Sequence, residues 1–467
     1  MSMATVDKFF PFKIHLHIFQ LEEYKPLRLL RWVAQNFFVR SYAEKKPLVW
    51  TFKAKFIFTV GLFYWILLTG TLSLIFGLPG LLGGVAAGTQ TYIFLILGLL
   101  TLRPGEIINR ILVRRKIRRK ITQLKETGLQ VIGITGSYGK TSVKEFLYQF
   151  LSPSYKTLKT PESYNTLFGI HKVIDLELDE NYKYFICEMG AYKRGEIKEL
   201  AETLLPDHGI LTGINEQHLE RFGCIENTIK AKFELIDSIP KEGTVLVNGA
   251  SKLVEKNYSK YRKSALVYSK QGSDFYIKDV RTTREGSTFT MVLQNEEIFA
   301  QTPLVGGSNL ENIVAAASMA YSLGISISSI ATVLKKLKPV PHRLEISTSK
   351  TGLIIIDDAY SSNVTGFKAA LNLLDSFNGK RKVIATPGIV ELGAKTTKIH
   401  KQLGSLANEV CNQIFLVGES ERTKALAAGA NNPNKVRFIN SLKEINKLIE
   451  IPEKTVLLIE NDLTENY

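Results

Sequence analysis

The residues with the plainest chemical potential lie in Val131-Ile-Gly-Ile-Thr-Gly-Ser-Tyr-Gly-Lys-Thr-Ser-Val-Lys-Glu145, a β-branched run that breaks into glycines and then into a helical pattern. The pattern predicts a strand, a phosphate loop and a helix. Gly136 and Gly139 let the backbone turn tightly and aim N–H groups at an anion seated at the positive end of the helix dipole. Lys140 is placed to hold the outer phosphates and the Thr141 hydroxyl to hold Mg²⁺. Gly136, Ser137, Gly139, Lys140, Thr141 and Ser142 are therefore the loop's nucleotide-binding candidates. The spacing is G-x-x-G-K-T, shorter than the Walker form.

Two further groups belong to the same chemistry if the strands are parallel. Tyr184-Phe-Ile-Cys187 reads as a buried strand ending in Glu188-Met-Gly190, and His208-Gly-Ile-Leu-Thr212 as another, followed by Asn215 and His218-Leu-Glu. Ligands of such sheets bind at the carboxyl ends of strands, so Glu188 and His218 are delivered to the rim that carries Lys140. Alone, each has a plainer reading: a solvated carboxylate, and a capping or surface histidine.

The elements that must position these groups alternate strand and helix, which predicts an α/β protein with a mostly parallel sheet covered on both faces. Glu226 to Ser238 reads as a helix carrying Lys230, Lys232 and Glu234. Residues 262–305 alternate in β fashion and predict a small β-rich extension, and Asn309 to Leu323 returns to helix around Ala315-Ala-Ala317. Lys338-Pro-Val-Pro341 is a stiff connector. After it, strands at 353–356, 382–385, 413–417, 436–439 and 456–459 predict a Rossmann-like carboxyl-terminal domain. It has no G-x-G-x-x-G, so a dinucleotide role is not expected.

The chain has 467 residues, too many for one ordinary domain, with 45% hydrophobic residues and a formal charge of +16. The charge is concentrated: residues 103–125 hold nine Lys/Arg against Glu106 alone. No module that reads nucleic acid accompanies them, so a nucleic-acid partner is not expected. Cys187, Cys224 and Cys411 lie far apart, which argues against a disulfide framework or a structural zinc site.

Residues 56–102 contain no charged side chain. Crossing a bilayer takes about 20 apolar residues per helix, so the stretch predicts two transmembrane helices, about 56–76 and 81–102, joined by a turn at Pro79-Gly80. Basic residues flank both ends, which places both termini and the catalytic domains in the cytoplasm of a multi-pass inner-membrane protein. Phe9 to Phe38 reads either as an interfacial helix or as an ordinary packing helix, and the basic segment as an exit from the lipid on anionic headgroups. The expected domains are thus a membrane region 1–125, an ATP-binding central domain 126–338 and a carboxyl-terminal ligase domain 339–467.

In order along the chain, Thr135-Gly-Ser-Tyr-Gly-Lys-Thr141, Tyr164-Asn-Thr166, Glu188-Met-Gly190, Gly195-Glu-Ile197, His218-Leu-Glu, Ala231-Lys-Phe-Glu234, Gly307-Ser-Asn309 with Asn312, Arg343, Asp357-Asp-Ala-Tyr360 and Glu391-Leu-Gly393 resemble the motifs of the Mur ligases. Within that family the resemblance is closest to the members that attach D-alanyl-D-alanine to the muramoyl tripeptide. The resemblance implies ATP-dependent amide formation through an acyl-phosphate, with ADP and phosphate as products and Mg²⁺ as cofactor. By it, Lys140, Lys232, His218 and Glu188 are catalytic, and Thr141, Glu188 and His218 are metal ligands. It further implies a carbamylated Lys232, adenine contacts from Asn309 and Asn312, nucleotide contacts from Arg343 and Asp358, and substrate contacts from Asn165 and Tyr360.

Three departures accompany the resemblance. A hydrophobic hairpin stands where the family has its UDP-sugar domain. The run Thr386-Pro-Gly-Ile-Val390 lacks the usual Gly-Asp pair, and Ile459-Glu-Asn-Asp-Leu463 replaces Lys-Gly-Ser at the end expected to meet the amine. The expected partners are a small-molecule or lipid-linked carboxylate acceptor, an amino acid or peptide amine, and membrane lipids. The alternatives are a polyglutamate-type ligase and a membrane-tethered nucleotide-binding scaffold without ligase activity.

Overall fold

The computed structural model describes residues 10–36, 47–161, 164–215, 222–283, 285–360, 363–390 and 392–461. His218 and Glu391 lie outside the described residues. Contacts divide the chain into two compact units, 1–113 and 114–466.

The first unit holds α1 Phe12–Leu21, α2 Pro26–Gln35, α3 Phe52–Phe76, α4 Leu78–Ala87 and the opening part of α5 Thr91–Glu126. Instead of one helix over residues 9–38 there are two. Glu23 and Tyr24 adopt left-handed φ values of 55° and 56°, and Pro26 then opens α2. Pro is favoured at the first turn of a helix, where its missing N–H has no partner to lose. The aromatic face of α1 is buried: Phe12, Leu16 and Phe19 form a core with Leu29, Ala54, Ile57, Phe94 and Leu95. The second apolar segment also differs from its expected form. Pro79 and Gly80 lie inside α4, the chain reverses at Gly77, and a 3-10 turn at Gly88–Gln90 separates α4 from α5. Gly84 allows α3 and α4 to approach, since a Cβ there would lie 2.6 Å from Thr69 Cα, and Trp65 Nε1 donates to the Gly84 carbonyl at 2.9 Å. Phe52–Phe76 and the stretch Leu78–Glu126 are long and apolar enough to cross a membrane by length and composition.

In the second unit, the described strands β1 Gln130–Thr135, β2 Thr157–Lys159, β3 Tyr184–Glu188, β4 His208–Leu211, β5 Val245–Asn248, β6 Leu266–Tyr268, β7 Phe275–Thr283, β8 Gly286–Leu293 and β9 Glu296–Thr302 form one sheet in the order β2-β3-β1-β4-β5-β6-β7-β8-β9. Pairing is parallel as far as β7, and β8 and β9 close the edge as an antiparallel meander. Residues 262–305 are therefore a continuation of the central sheet rather than a separate extension, because β6 pairs in parallel with β5. The helices that bear on the site are α6 Lys140–Leu151, α7 Leu167–Leu176, α8 Glu196–Leu204, α9 Ile225–Ser238, α10 Lys252–Tyr261 and α11 Gly307–Ser322. Val143, Phe146, Leu147 and Phe150 on α6 share a core with Ile132 and Ile134 of β1 and with Ile313, Val314 and Ala317 of α11.

The last part of α5 corrects the reading of the basic segment as a lipid exit. Arg114 pairs with Glu202 at 3.2 Å and Glu199 at 3.6 Å, and Lys116 with Asp175 at 2.7 Å. Lys120 donates to the Ile174 carbonyl at 2.6 Å, and Lys125 pairs with Asp207 at 2.5 Å. These four cations meet acids and carbonyls of α7, α8 and the residue before β4, while Arg115, Arg118 and Arg119 stay exposed.

The second sheet, in the order β10-β11-β15-β12-β13-β14, comprises β10 Glu345–Thr348, β11 Ile354–Asp358, β12 Arg381–Thr386, β13 Gln413–Val417, β14 Val436–Ile439 and β15 Thr455–Glu460. Among these, β10 is absent from the sequence reading. It is a short, half-polar strand that runs antiparallel to β11, without the apolar run that marks the others.

Candidate functional site

The loop after β1 is shaped by close backbone approach. Gly136 has φ +154°, and a Cβ on it would meet Thr212 Oγ1 at 2.1 Å; Gly139 has φ +78°, and a Cβ there would meet Asn312 Oδ1 at 2.5 Å. Ser137 N donates to the Gly213 carbonyl at 2.7 Å, and Thr212 Oγ1 donates to the Tyr138 carbonyl, so the end of β4 holds the loop open. The first amides of α6 then face the loop with the dipole's positive end. Lys140 Nζ donates to the Gly136 carbonyl at 2.9 Å and so folds over the loop. Burial lowers its pKa, and Glu188 acts in the opposite direction.

Glu188 ends β3 and is 2% exposed. Parallel pairing with β1 sets it opposite Ile134, two residues before Gly136 opens the loop. Thr141 Oγ1 donates to its Oε2 at 2.9 Å and Asn165 Nδ2 to its Oε1 at 3.2 Å, while Lys144 Nζ stands 3.6 Å from Oε2. Three of the expected site residues, Thr141, Glu188 and Asn165, thus meet at one carboxylate. A hydroxyl and a carboxylate oxygen together suit Mg²⁺, which prefers hard oxygen donors and takes few of them from protein. No group of three or more His, Cys, Asp or Glu side chains gathers among the described residues.

Lys232 projects from α9 and is 3% exposed. Burial lowers its pKa to about 7; Lys140 pushes the same way, and Glu188, Glu196 and Glu234 oppose it. Its Nζ lies 5.8 Å over the Phe222 ring. Glu234, two residues further along α9, accepts from Gly195 N at 2.7 Å and Lys198 N at 3.0 Å and so caps α8.

A second group of expected residues lines one cleft: Gly139, Ser142, Asn309, Asn312, Arg343 and Asp358. Arg343 sits between His342 and Leu344, both at positive φ, and its guanidinium lies 4.4 Å over the Tyr360 ring. Tyr360 is therefore brought to the connector that carries Arg343. Asp358 Oδ1 accepts from Leu344 N at 3.2 Å. Burial raises its pKa to about 6, against Arg343, the Leu344 amide and a hydrogen bond with Glu460.

Lys144 is the residue that sequence reasoning passed over. It is fully buried, between Glu188 and Glu145, and Lys159 pairs with Glu145 in turn. Its signal was its place four residues after Lys140, on the helix face turned to β3. Thr160, whose hydroxyl accepts from Glu188 N at 3.2 Å, gave no such signal.

Comparison with known proteins follows this geometry. A model of the Mur ligase middle domain matches residues 134–320, and one of the Mur ligase glutamate ligase domain matches residues 342–459. The UDP-N-acetylmuramoyl-tripeptide--D-alanyl-D-alanine ligase of Bacillus subtilis is 31% identical over 63% of this chain and 64% of its own length. The Escherichia coli ligase of the same name is 30% identical over 67% of this chain and 70% of its own. A crystal structure of MurF ligase from Thermotoga maritima in complex with ADP superposes with a TM-score of 0.68 at 25% identity, covering 76% of this chain and 80% of that one. The chain thus spans just under two thirds of the Bacillus relative.

These relatives correct the expected location. The similarity is to ligases, with family models matching residues 134–320 and 342–459, and it does not describe a multi-pass inner-membrane protein. The two helices that meet the length and apolarity of a span do so by composition alone, a test that core helices of soluble proteins also pass.

Proposed function

Because the chain belongs to the Mur ligase family, we propose that it joins a carboxylate acceptor to an amine at the expense of ATP, in peptidoglycan precursor metabolism. The observation that carries this reading is the buried Glu188 carboxylate, holding Thr141 and Asn165 at the rim where Lys140 crosses the phosphate loop.

The acceptor is a weak acyl donor until it is phosphorylated. In the proposed reaction its carboxylate oxygen attacks the γ-phosphorus of ATP, the bond to the β-phosphate oxygen breaks, and ADP leaves. The amine nitrogen then attacks the acyl carbon and inorganic phosphate departs. Phosphoryl transfer of this kind is helped chiefly by positioning and by cations. Lys140 turns from the loop carbonyls to the transferring phosphoryl group. Thr141 and Glu188 would hold Mg²⁺, with His218 as a further ligand in this reading, and the bound cation would supply positive charge against the phosphates. Asn309 and Asn312 meet the base, Arg343 and Asp358 meet the nucleotide from the connector and the third domain, and Asn165 and Tyr360 face substrate. Lys232, with its pKa lowered to about 7 by burial, has neutral amine available near pH 7. That amine adds to CO₂ and loses a proton, leaving an anionic carbamate.

The departures at the amine end are in contact with one another. Asn461 Nδ2 donates to the Gly388 carbonyl at 2.6 Å, and Glu460 bonds to Asp358. The acceptor class is taken from the relatives' names, and the amine is what the test must identify. The test is mass spectrometry of a UDP-muramoyl-tripeptide incubated with ATP, Mg²⁺ and a panel of amino acids and dipeptides that includes D-alanyl-D-alanine. The acceptor is expected to gain the mass of one amine less water, and the Lys140→Ala variant to give none. An enzyme that binds ADP yet couples no member of the panel would count against the proposal.

A further inference from the structure

The nucleotide cleft contains an acid for which the proposed reaction has no use. Glu311 lies on α11 between Asn309 and Asn312 and lines the cleft with Tyr138 and Arg343. Its carboxylate accepts from Asn248 Nδ2, and the same amide donates to the Thr212 carbonyl at 2.6 Å, which fixes the side chain from the end of β5. Among the described residues Asn248 is the one side chain that donates to it. Burial raises the Glu311 pKa, with the Asn248 hydrogen bond opposing.

An acid beside the site of a polyphosphate repels its ligand, and a half-buried carboxylate with a single donor is only partly compensated. Both costs fall if the ligand brings a donor of its own. Two of the polar neighbours are already engaged: the Tyr138 hydroxyl is paired with Ser251, and Asn309 Nδ2 donates to the Val305 carbonyl at 3.0 Å. The 6-amino group of adenine is a neutral donor of the right kind. A 6-oxo purine puts a carbonyl oxygen at the same place, where two acceptors face each other.

We propose that Glu311 selects the base of the nucleotide, accepting a hydrogen bond from the exocyclic amine of an aminopurine and rejecting 6-oxo purines. This rests on the ATP-dependent reading above. It goes further by assigning base choice to a side chain that the family resemblance leaves without a role.

The test is calorimetric titration of the full-length protein with Mg²⁺ and ADP or IDP, which differ at the purine 6-position, with inorganic triphosphate as a probe of the phosphate loop alone. Wild type is expected to prefer ADP by roughly ten- to a hundredfold, the worth of one hydrogen bond to a charged group. Glu311→Gln, whose amide can accept from an amine or donate to a carbonyl, is expected to narrow that preference by about tenfold, with triphosphate binding no weaker than in wild type, since the repelling charge is gone. If that variant does not fold, Glu311→Asp, which keeps the charge but withdraws it, is expected to lose affinity for ADP and not for triphosphate. A preference that is the same in wild type and Glu311→Gln overturns this inference alone. A wild type that binds triphosphate but neither nucleotide overturns the ATP reading together with it.

Discussion

Three side chains converge on the Glu188 carboxylate: the Thr141 hydroxyl, the Asn165 amide and the Lys144 ammonium. Neutralising one member of a buried ion pair leaves the other charge uncompensated, which costs about 3–5 kcal/mol. Glu188→Gln is therefore expected to lower stability by about that amount in urea unfolding and to weaken Mg²⁺ binding. Adding Lys144→Met in the same chain should recover most of the stability and none of the metal binding; recovery of both would show that the carboxylate serves only to neutralise Lys144. Lys232 makes a pH-dependent prediction. Its pKa, 10.5 for an unperturbed lysine, is lowered to about 7 by burial and secondarily by Lys140. Between those values the unfolded chain holds the proton and the folded chain does not, so stability rises with pH across that window. Lys232→Met is expected to flatten the rise when melting temperature is followed from pH 7 to 10.

At the scale of elements, the strand, loop and helix around Lys140 were legible because the hydrophobic period changes from β-branched to helical across two glycines. The strand ends that deliver Glu188, and the grouping of Asn309, Asn312, Arg343 and Asp358, followed from the order of the motifs. What was hidden depended on packing between distant segments. Nothing in Leu266-Val-Tyr268 announces parallel pairing with β5, and the break between α1 and α2 turns on two left-handed residues whose types, Glu and Tyr, do not signal it. The basic run 103–125 misled for the same reason, since its acidic partners are 59 to 88 residues away at Asp175, Asp207, Glu199 and Glu202. Asp207 joins two elements, pairing with Lys125 of α5 and accepting from Val131 N of β1 at 2.7 Å. Asp207→Ala is expected to reduce stability by about 1–3 kcal/mol, the cost of an unsatisfied amide and a lost partner, while the affinity for ADP stays as in wild type. Gly136→Ala should do the reverse: its Cβ would press on Thr212 Oγ1, a φ of +154° strains any side chain there, and nucleotide binding is expected to fall by tenfold or more for about 1.4 kcal/mol of loop distortion.

For the whole molecule, the central and carboxyl-terminal sheets both contribute to one cleft, and the account stands on what happens to a carboxylate oxygen there. The most direct measurement uses an acceptor whose carboxylate carries ¹⁸O, with ATP, Mg²⁺ and an amine, and follows the products by ³¹P NMR. Activation as an acyl-phosphate predicts ADP and inorganic phosphate, with one ¹⁸O in each phosphate released and no turnover by Lys140→Ala. Unlabelled phosphate, or AMP with pyrophosphate, would contradict the account.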